Sequence, residues 1–170
     1  DCERITPDLL PLVSLRQEEI DRVVACVPGG VSNVQDIYPL GPLQEGILFH
    51  HLLHEQGDAY LSRSAVAFDS RERLERFLSA IQQVIDRHDI LRTGFCWEGL
   101  DQPVQVVHRQ ARLPIIELAL SAETAALPQL LAQVDPDRLR LDVRAAPLLA
   151  AYVAADPQSG EWLLVLLYHH

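Results

Sequence analysis

Between Arg71 and Arg87 the apolar residues Leu74, Phe77, Leu78, Ile81, Val84 and Ile85 recur at intervals of three and four. Arg71, Glu72, Arg73, Glu75 and Arg76 fill the positions between, which predicts an amphipathic helix over about 71–87. A shorter stripe of Ile20, Val23, Val24 and Val27 predicts a helix over about 15–26, opened by a capping box of Ser14 and Gln17 and stopped by Pro28-Gly29-Gly30. Pro42 stands where the first helical position tolerates a missing N–H, so a third helix runs to about 55 with Leu43, Ile47, Leu48 and His51 on one face. Over about 60–69, Ser62, Ser64, Val66 and Phe68 alternate with Leu61, Arg63, Ala65 and Ala67, the period of a strand. Short strands follow at about 91–97, 103–108 and 114–119, and then a helix at about 122–134. Two apolar runs, Leu148 to Ala155 and Trp162 to Tyr168, are joined by Asp156-Pro157-Gln158-Ser159-Gly160 and read as a hairpin of buried strands. This order of elements predicts an α/β (α+β) sandwich, and no internal repeat is present.

Composition adds mainly exclusions. The 170 residues, 48% hydrophobic and 22% charged, suffice for a sizeable core. A net charge of -10, with 14 arginines and no lysine against 24 acids, argues against a nucleic-acid or anionic-membrane surface. The three cysteines, Cys2, Cys26 and Cys96, have no CxxC spacing and suit a reducing compartment. With neither a secretory leader nor a bilayer-length apolar run in the sequence, a cytoplasmic location is expected. There is no glycine-rich phosphate loop, no GxSxG and no HExxH, so nucleotide binding, serine hydrolysis and zincin chemistry lack a foothold.

The chemistry-bearing motifs are more specific. Arg87-His88-Asp89-Ile90-Leu91-Arg92-Thr93-Gly94-Phe95 closely resembles the RHExLRTxF signature of condensation domains in nonribosomal peptide synthetases, with Asp89 where Glu is commoner. Tyr168-His169-His170 resembles the opening of that family's HHxxxDG motif. Tyr38-Pro39-Leu40-Gly41-Pro42-Leu43-Gln44-Glu45-Gly46 resembles its first core motif, and Leu141-Asp142 with Pro147-Leu148-Leu149 its strand before the active site. The resemblance implies the N-terminal lobe of a two-lobed, chloramphenicol-acetyltransferase-like fold over 36–170, with the second lobe outside this chain. It also implies that residues 1–35 link an upstream carrier domain to that lobe.

On the same resemblance His170 is the catalytic residue. A histidine near neutral pKa at the end of a buried strand can take a proton from the attacking amine, or simply orient it. His169 is expected to support the local backbone. Arg92 is expected to pair with the Asp of HHxxxDG, beyond His170, and to brace the active-site loop. The expectation follows that this guanidinium is unpaired here and that the fragment alone is inactive.

His50-His51-Leu52-Leu53-His54-Glu55-Gln56-Gly57-Asp58 resembles the HH[I/L]xxxxGD motif of dual epimerization/condensation domains. The implied reaction inverts Cα of the upstream carrier-bound residue and then joins it to the downstream aminoacyl thioester. Inversion needs proton exchange on both faces of an acidified Cα; His170 serves one face, and His50-His51 either acts directly or shapes the channel. A structural reading stays open, in which the histidines cap a helix and Gly57-Asp58 forms its terminating turn with positive φ. His50 and His54, four apart, have metal spacing but no evident third ligand, so no metal is expected. Cys96, between Phe95 and Trp97, reads as a core residue rather than a nucleophile.

The alternatives are a plain condensation domain and a non-catalytic carrier-docking module. The implied partners are upstream and downstream peptidyl carrier domains, whose phosphopantetheine arms hold the substrates. No cofactor of its own, nucleic acid or membrane is implied, and the expected setting is bacterial secondary metabolism, lipopeptide assembly included.

Overall fold

The computed structural model describes residues 4–53 and 57–169. The fold is mixed α/β, as the element order predicted, and the chain divides into two compact units. The first comprises Asp1–His50, Ile85–Arg112 and Asp142–Leu148; the second comprises His51–Val84, Leu113–Leu141 and Leu149–His170.

The first unit is a helix on a three-stranded antiparallel sheet. Strands β1 (Val34–Pro39), β3 (Thr93–Cys96) and β4 (Val104–His108) lie in the order β1-β4-β3. Helix α1 (Gln17–Cys26) lays Ile20 and Val23, with Val27 just beyond it, onto Val34, Ile37, Cys96, Val104 and Val106. Ile20 and Val23 are wholly buried, each burial contributing about 1.5–3 kcal/mol. Leu10, Val13 and Leu15 enter the same core, so residues expected to act as a linker are packed against the sheet.

Helix α1 opens two residues after the expected capping box. Glu19, not Gln17, reaches back to its start: Glu19 Oε2 accepts from the Arg16 N–H at 2.8 Å and Oε1 from the Asp101 N–H at 2.9 Å. Strand β1 was not predicted. A bulge between Val34 and Asp36 leaves the buried Val34 and Ile37 three residues apart, which breaks the two-residue period that marks a strand. Strand β3 starts later than expected because Asp89–Arg92 forms a 3-10 turn, closed by Leu91 N–H to His88 O at 3.0 Å.

In the second unit four strands lie in the order β2-β7-β6-β5: β2 (Leu61–Phe68), β5 (Ile115–Glu117), β6 (Leu149–Ala155) and β7 (Trp162–His169). Strands β6 and β7 form the predicted hairpin, and β5 runs parallel to β6. Helix α4 (Ala126–Gln133) packs Ala126 and Leu130, with Val134 after it, on Leu163, Val165 and Leu167 of β7. It begins well after the predicted start because Pro128 is tolerated only in a first turn.

Helix α2 (Pro42–Leu53) crosses from the first unit to the second between His50 and His51, and α3 (Arg71–Arg87) returns the chain at Ile85. The α3 stripe buries Leu74, Leu78 and Ile85, but leaves Phe77 and Val84 exposed; Leu43 of α2 is likewise exposed, against expectation. Among the described residues no helix is long and apolar enough to cross a membrane.

Candidate active site

Strand β7 carries the candidate residues toward its C-terminal end. Side chains alternate along a strand, so His169 shares the face of Leu163, Val165 and Leu167, the face on which α4 packs. Its strand partner is Leu61, the first residue of β2. Immediately before β2 the chain makes a tight turn built by Asp58. Its Oδ1 accepts from the Tyr60 N–H at 2.9 Å, its carbonyl accepts from the Leu61 N–H at 3.0 Å, and its own N–H donates to Pro136 O at 3.3 Å. This local turn fixes the carboxylate beside the end of β7.

The other carboxylate oxygen, Asp58 Oδ2, meets two imidazoles. His51 Nδ1 lies 2.5 Å from it and His169 Nε2 3.1 Å. All three side chains are buried, at 8%, 1% and 3% exposure for His51, Asp58 and His169. The two rings stand edge to face with centroids 5.9 Å apart, and the Tyr60 ring lies 6.2 Å from that of His169. Burial pushes the Asp58 carboxyl up. The hydrogen bonds from His51 and the Tyr60 N–H, with the two imidazoles close by, outweigh it and hold the group below the usual aspartate range. Arg140 donates to His51 O at 2.5 Å and so ties down a carbonyl in the last turn of α2, where a cation is favoured.

The two motifs picked out from sequence, His50-His51…Gly57-Asp58 and Tyr168-His169-His170, therefore meet through His51, Asp58 and His169. His50 does not join them. Adjacent helical residues point about 100° apart, and His50 is exposed, its ring edge-on to Phe49 at 5.9 Å. His54 and His170 lie outside the described residues. Gly57 has φ +67, the conformation expected of it, and a Cβ there would sit 2.6 Å from Asp137 O.

His51, Asp58 and His169 are also the set of donor atoms that a cation would find, all within 4.8 Å of one another. Two ligands of a tetrahedral zinc at about 2.0–2.1 Å lie roughly 3.3 Å apart. The 2.5 Å contact between His51 and Asp58 is instead a hydrogen-bond distance.

Arg92 corrects the expectation of an unpaired guanidinium. It is 5% exposed and donates to Ile85 O at 3.2 Å, Gln35 Oε1 at 3.0 Å, Arg109 O at 3.2 Å, His108 O, and Asp89 Oδ1 at 2.5 Å. Its fork is filled by the Ile85 carbonyl in the last turn of α3 and by the His108 and Arg109 carbonyls at the end of β4. Asp89, the departure from the family signature, is its carboxylate. Cys96 lies in the first unit's core, its thiol pushed up to about 12 by burial and then by neighbouring Cys26. An open cavity of about 550 Å³ in the first unit is lined by Ser32, Asn33, His108 and Arg109 among others, and not by His51, Asp58 or His169.

Sequence reasoning missed Tyr60 and Arg140, since neither lies in a motif. It had Asp58 as a turn residue, and the Asp-Ala-Tyr run before an alternating strand was the available signal for an acidic side chain anchored on its own backbone.

A family model described as Condensation domain matches residues 34–170. The chain belongs to the condensation-domain family. Among similar proteins, malpinin synthetase of Mortierella alpina is 53% identical over 167 residues, covering 98% of this chain and 2% of that protein. One of the linear gramicidin synthase proteins of Brevibacillus parabrevis is 34% identical over 169 residues, 97% of this chain and 3% of that protein. The condensation-domain chain thus spans a few hundredths of the length of these relatives, and bacterial lipopeptide assembly is not carried by the matches.

Solved structures agree on the fold. The starter condensation domain of rhizomide synthetase matches with a TM-score of 0.62 at 23% identity, over 79% of this chain and 34% of that one. The condensation domain of the monacolin K polyketide synthase matches at 0.58 and 22% identity, over 81% and 30%.

Proposed function

We propose that this condensation-domain segment belongs to a dual epimerization and condensation enzyme of nonribosomal peptide synthesis. It inverts Cα of the residue held on the upstream carrier and then joins that residue to the downstream aminoacyl thioester by an amide bond. Both substrates arrive on phosphopantetheine arms of peptidyl carrier domains, and the domain brings no cofactor of its own. His170 is the proton-handling or amine-orienting residue; His169 and Arg92 are supports. Residues 1–35 connect to the upstream carrier domain, through a stretch whose Leu10, Val13 and Leu15 pack in the first unit's core.

The observation that supports this reading is the Asp58 carboxylate, which joins His51 of the epimerization-associated motif to His169, the residue beside the proposed catalytic histidine. The similarity to peptide synthetases supports the condensation half. A second reading, plain condensation without inversion, is favoured by the exposure of His50 and by the hydrogen bonds that give His51, Gly57 and Asp58 structural work.

The deciding experiment loads the upstream carrier of the parent protein with an L-configured residue and runs the reaction in deuterated water. Inversion with deuterium uptake at Cα, lost on His170→Ala, is the expected result. Peptide bond formation with retained L configuration and no uptake would establish the second reading.

A further inference from the structure

Two imidazoles from distant parts of the chain converge on one carboxylate oxygen, and that geometry dictates where their protons sit. An ionised carboxylate only accepts hydrogen bonds, so each ring nitrogen facing it must carry hydrogen; a lone pair aimed at Oδ2 in a buried site would be repelled. His51 presents Nδ1 and His169 presents Nε2. The rings are thus oppositely arranged, and a neutral His51 bears its hydrogen on Nδ1 while a neutral His169 bears it on Nε2. The carboxylate cannot swing between them, because Oδ1 is held by the Tyr60 N–H and Gly57, with positive φ and packed on Asp137, precedes it.

We propose that Asp58 is a positioning residue that locks His51 and His169 in these opposite tautomers and thereby holds the end of β7, from which the chain passes directly into His170. Toward Asp58, His51 and His169 act as donors, and the motif that contains His51 works by orienting the strand end rather than by exchanging protons itself. A ring rotation at His169 would be transmitted through a single peptide unit, and displacements of about 1 Å at a reacting group cost on the order of 100-fold.

The proposal deepens the dual reading and separates from it experimentally. An asparagine amide nitrogen, bonded to Cγ, occupies the place of a histidine Nδ1; a glutamine amide nitrogen, one bond further out, occupies that of Nε2. His51→Asn and His169→Gln therefore keep the donor to Asp58, whereas His51→Gln and His169→Asn misplace it. In the parent protein with loaded carriers in deuterated water, the first two variants should retain deuterium uptake and peptide-bond formation within about 3-fold. The second two, and Asp58→Asn, should lose about 10-fold or more, the loss falling on kcat while KM for the loaded carrier stays within about twofold.

Thermal unfolding of each variant reads the same hydrogen bonds without turnover and should follow the same order. Equal loss in His51→Asn and His51→Gln overturns the proposal, because it would give His51 a role beyond donation. Full activity in all five overturns it as well. If the parent protein shows no deuterium uptake, the dual reading fails. The tautomer lock is then judged by the isostere order in peptide-bond formation and unfolding temperature, where its persistence upholds the proposal and its absence overturns it.

Discussion

Asp58 and His169 are 111 positions apart and joined by a hydrogen bond of 3.1 Å. The bond has a pH dependence with a definite sign. The folded Asp58 carboxyl is held below its unfolded range of about 3.9. The stability it contributes is therefore fully present above the unfolded value and lost as pH falls through the folded one. Denaturant unfolding of wild type and Asp58→Asn across pH should show a gap at neutrality that closes in acid; a gap constant with pH would show that the charge contributes nothing.

Gly57→Ala should destabilise the second unit. The φ of +67 costs a side chain strain, and the new Cβ would stand 2.6 Å from Asp137 O, a backbone atom that cannot step aside cheaply. The combined loss should be about 1–3 kcal/mol or more, read as a lowered denaturant midpoint. Since Gly57 adjoins Asp58, activity should fall with it.

Arg92 and Asp89 should respond unequally. Removing the buried guanidinium in Arg92→Ala takes a donor from the carbonyls of Ile85, His108 and Arg109, leaves a cavity and should cost about 3 kcal/mol. Asp89 is 58% exposed, so its ion pair is screened, and Asp89→Ala should cost no more than about 1 kcal/mol. Lysine at position 92 should recover only part of the loss, because one ammonium cannot replace a planar fork. Chemical denaturation of the three variants measures the ranking.

Cys96 should resist alkylation in the folded protein while Cys26, exposed at the end of α1, reacts. Because burial raises the Cys96 thiol to about 12, the folded state withholds ionisation that the unfolded chain allows. Its contribution is complete below about 8.5 and declines as pH rises above that. Thiol mapping by mass spectrometry and unfolding at pH 7 and 10 check the two halves.

Glu19→Gln should lower the unfolding temperature by roughly 5 °C. The Arg16 and Asp101 backbone N–H groups and the Arg16 side chain hold the Glu19 carboxyl down to about 2. The contribution is present above the usual glutamate range and disappears as pH falls toward 2, so the two proteins should converge in acid.

How much of this was legible in the sequence depended on whether local pattern and tertiary demand agreed. Helix α3 was readable to the residue, since its stripe and charged face have one period and no proline interrupts them. The β6-β7 hairpin was readable from two apolar runs around Asp156 and Gly160. Strand β1 was not, because its bulge hides the alternation, and the start of α4 was misplaced by overlooking Pro128. At the site, His51, Gly57, Asp58 and His169 were all named from motifs. The contact among them was not, because a shared oxygen across 111 positions leaves no mark in spacing, and the ion pair of Arg92 with Asp89, three residues away, was not anticipated.

The turn at Asp58 also imposes a rule of length. Asp58 sits three residues before Leu61, and Leu61 is in register with His169. Inserting or deleting one residue between them would either move the carboxylate from the histidines or slip β2 by one place and invert the face of every side chain on it. The histidine-rich motif can thus be inherited only together with the spacing that ties it to its strand. In this fold, a glycine-aspartate pair at another distance from the strand would not bring its carboxylate to the two imidazoles.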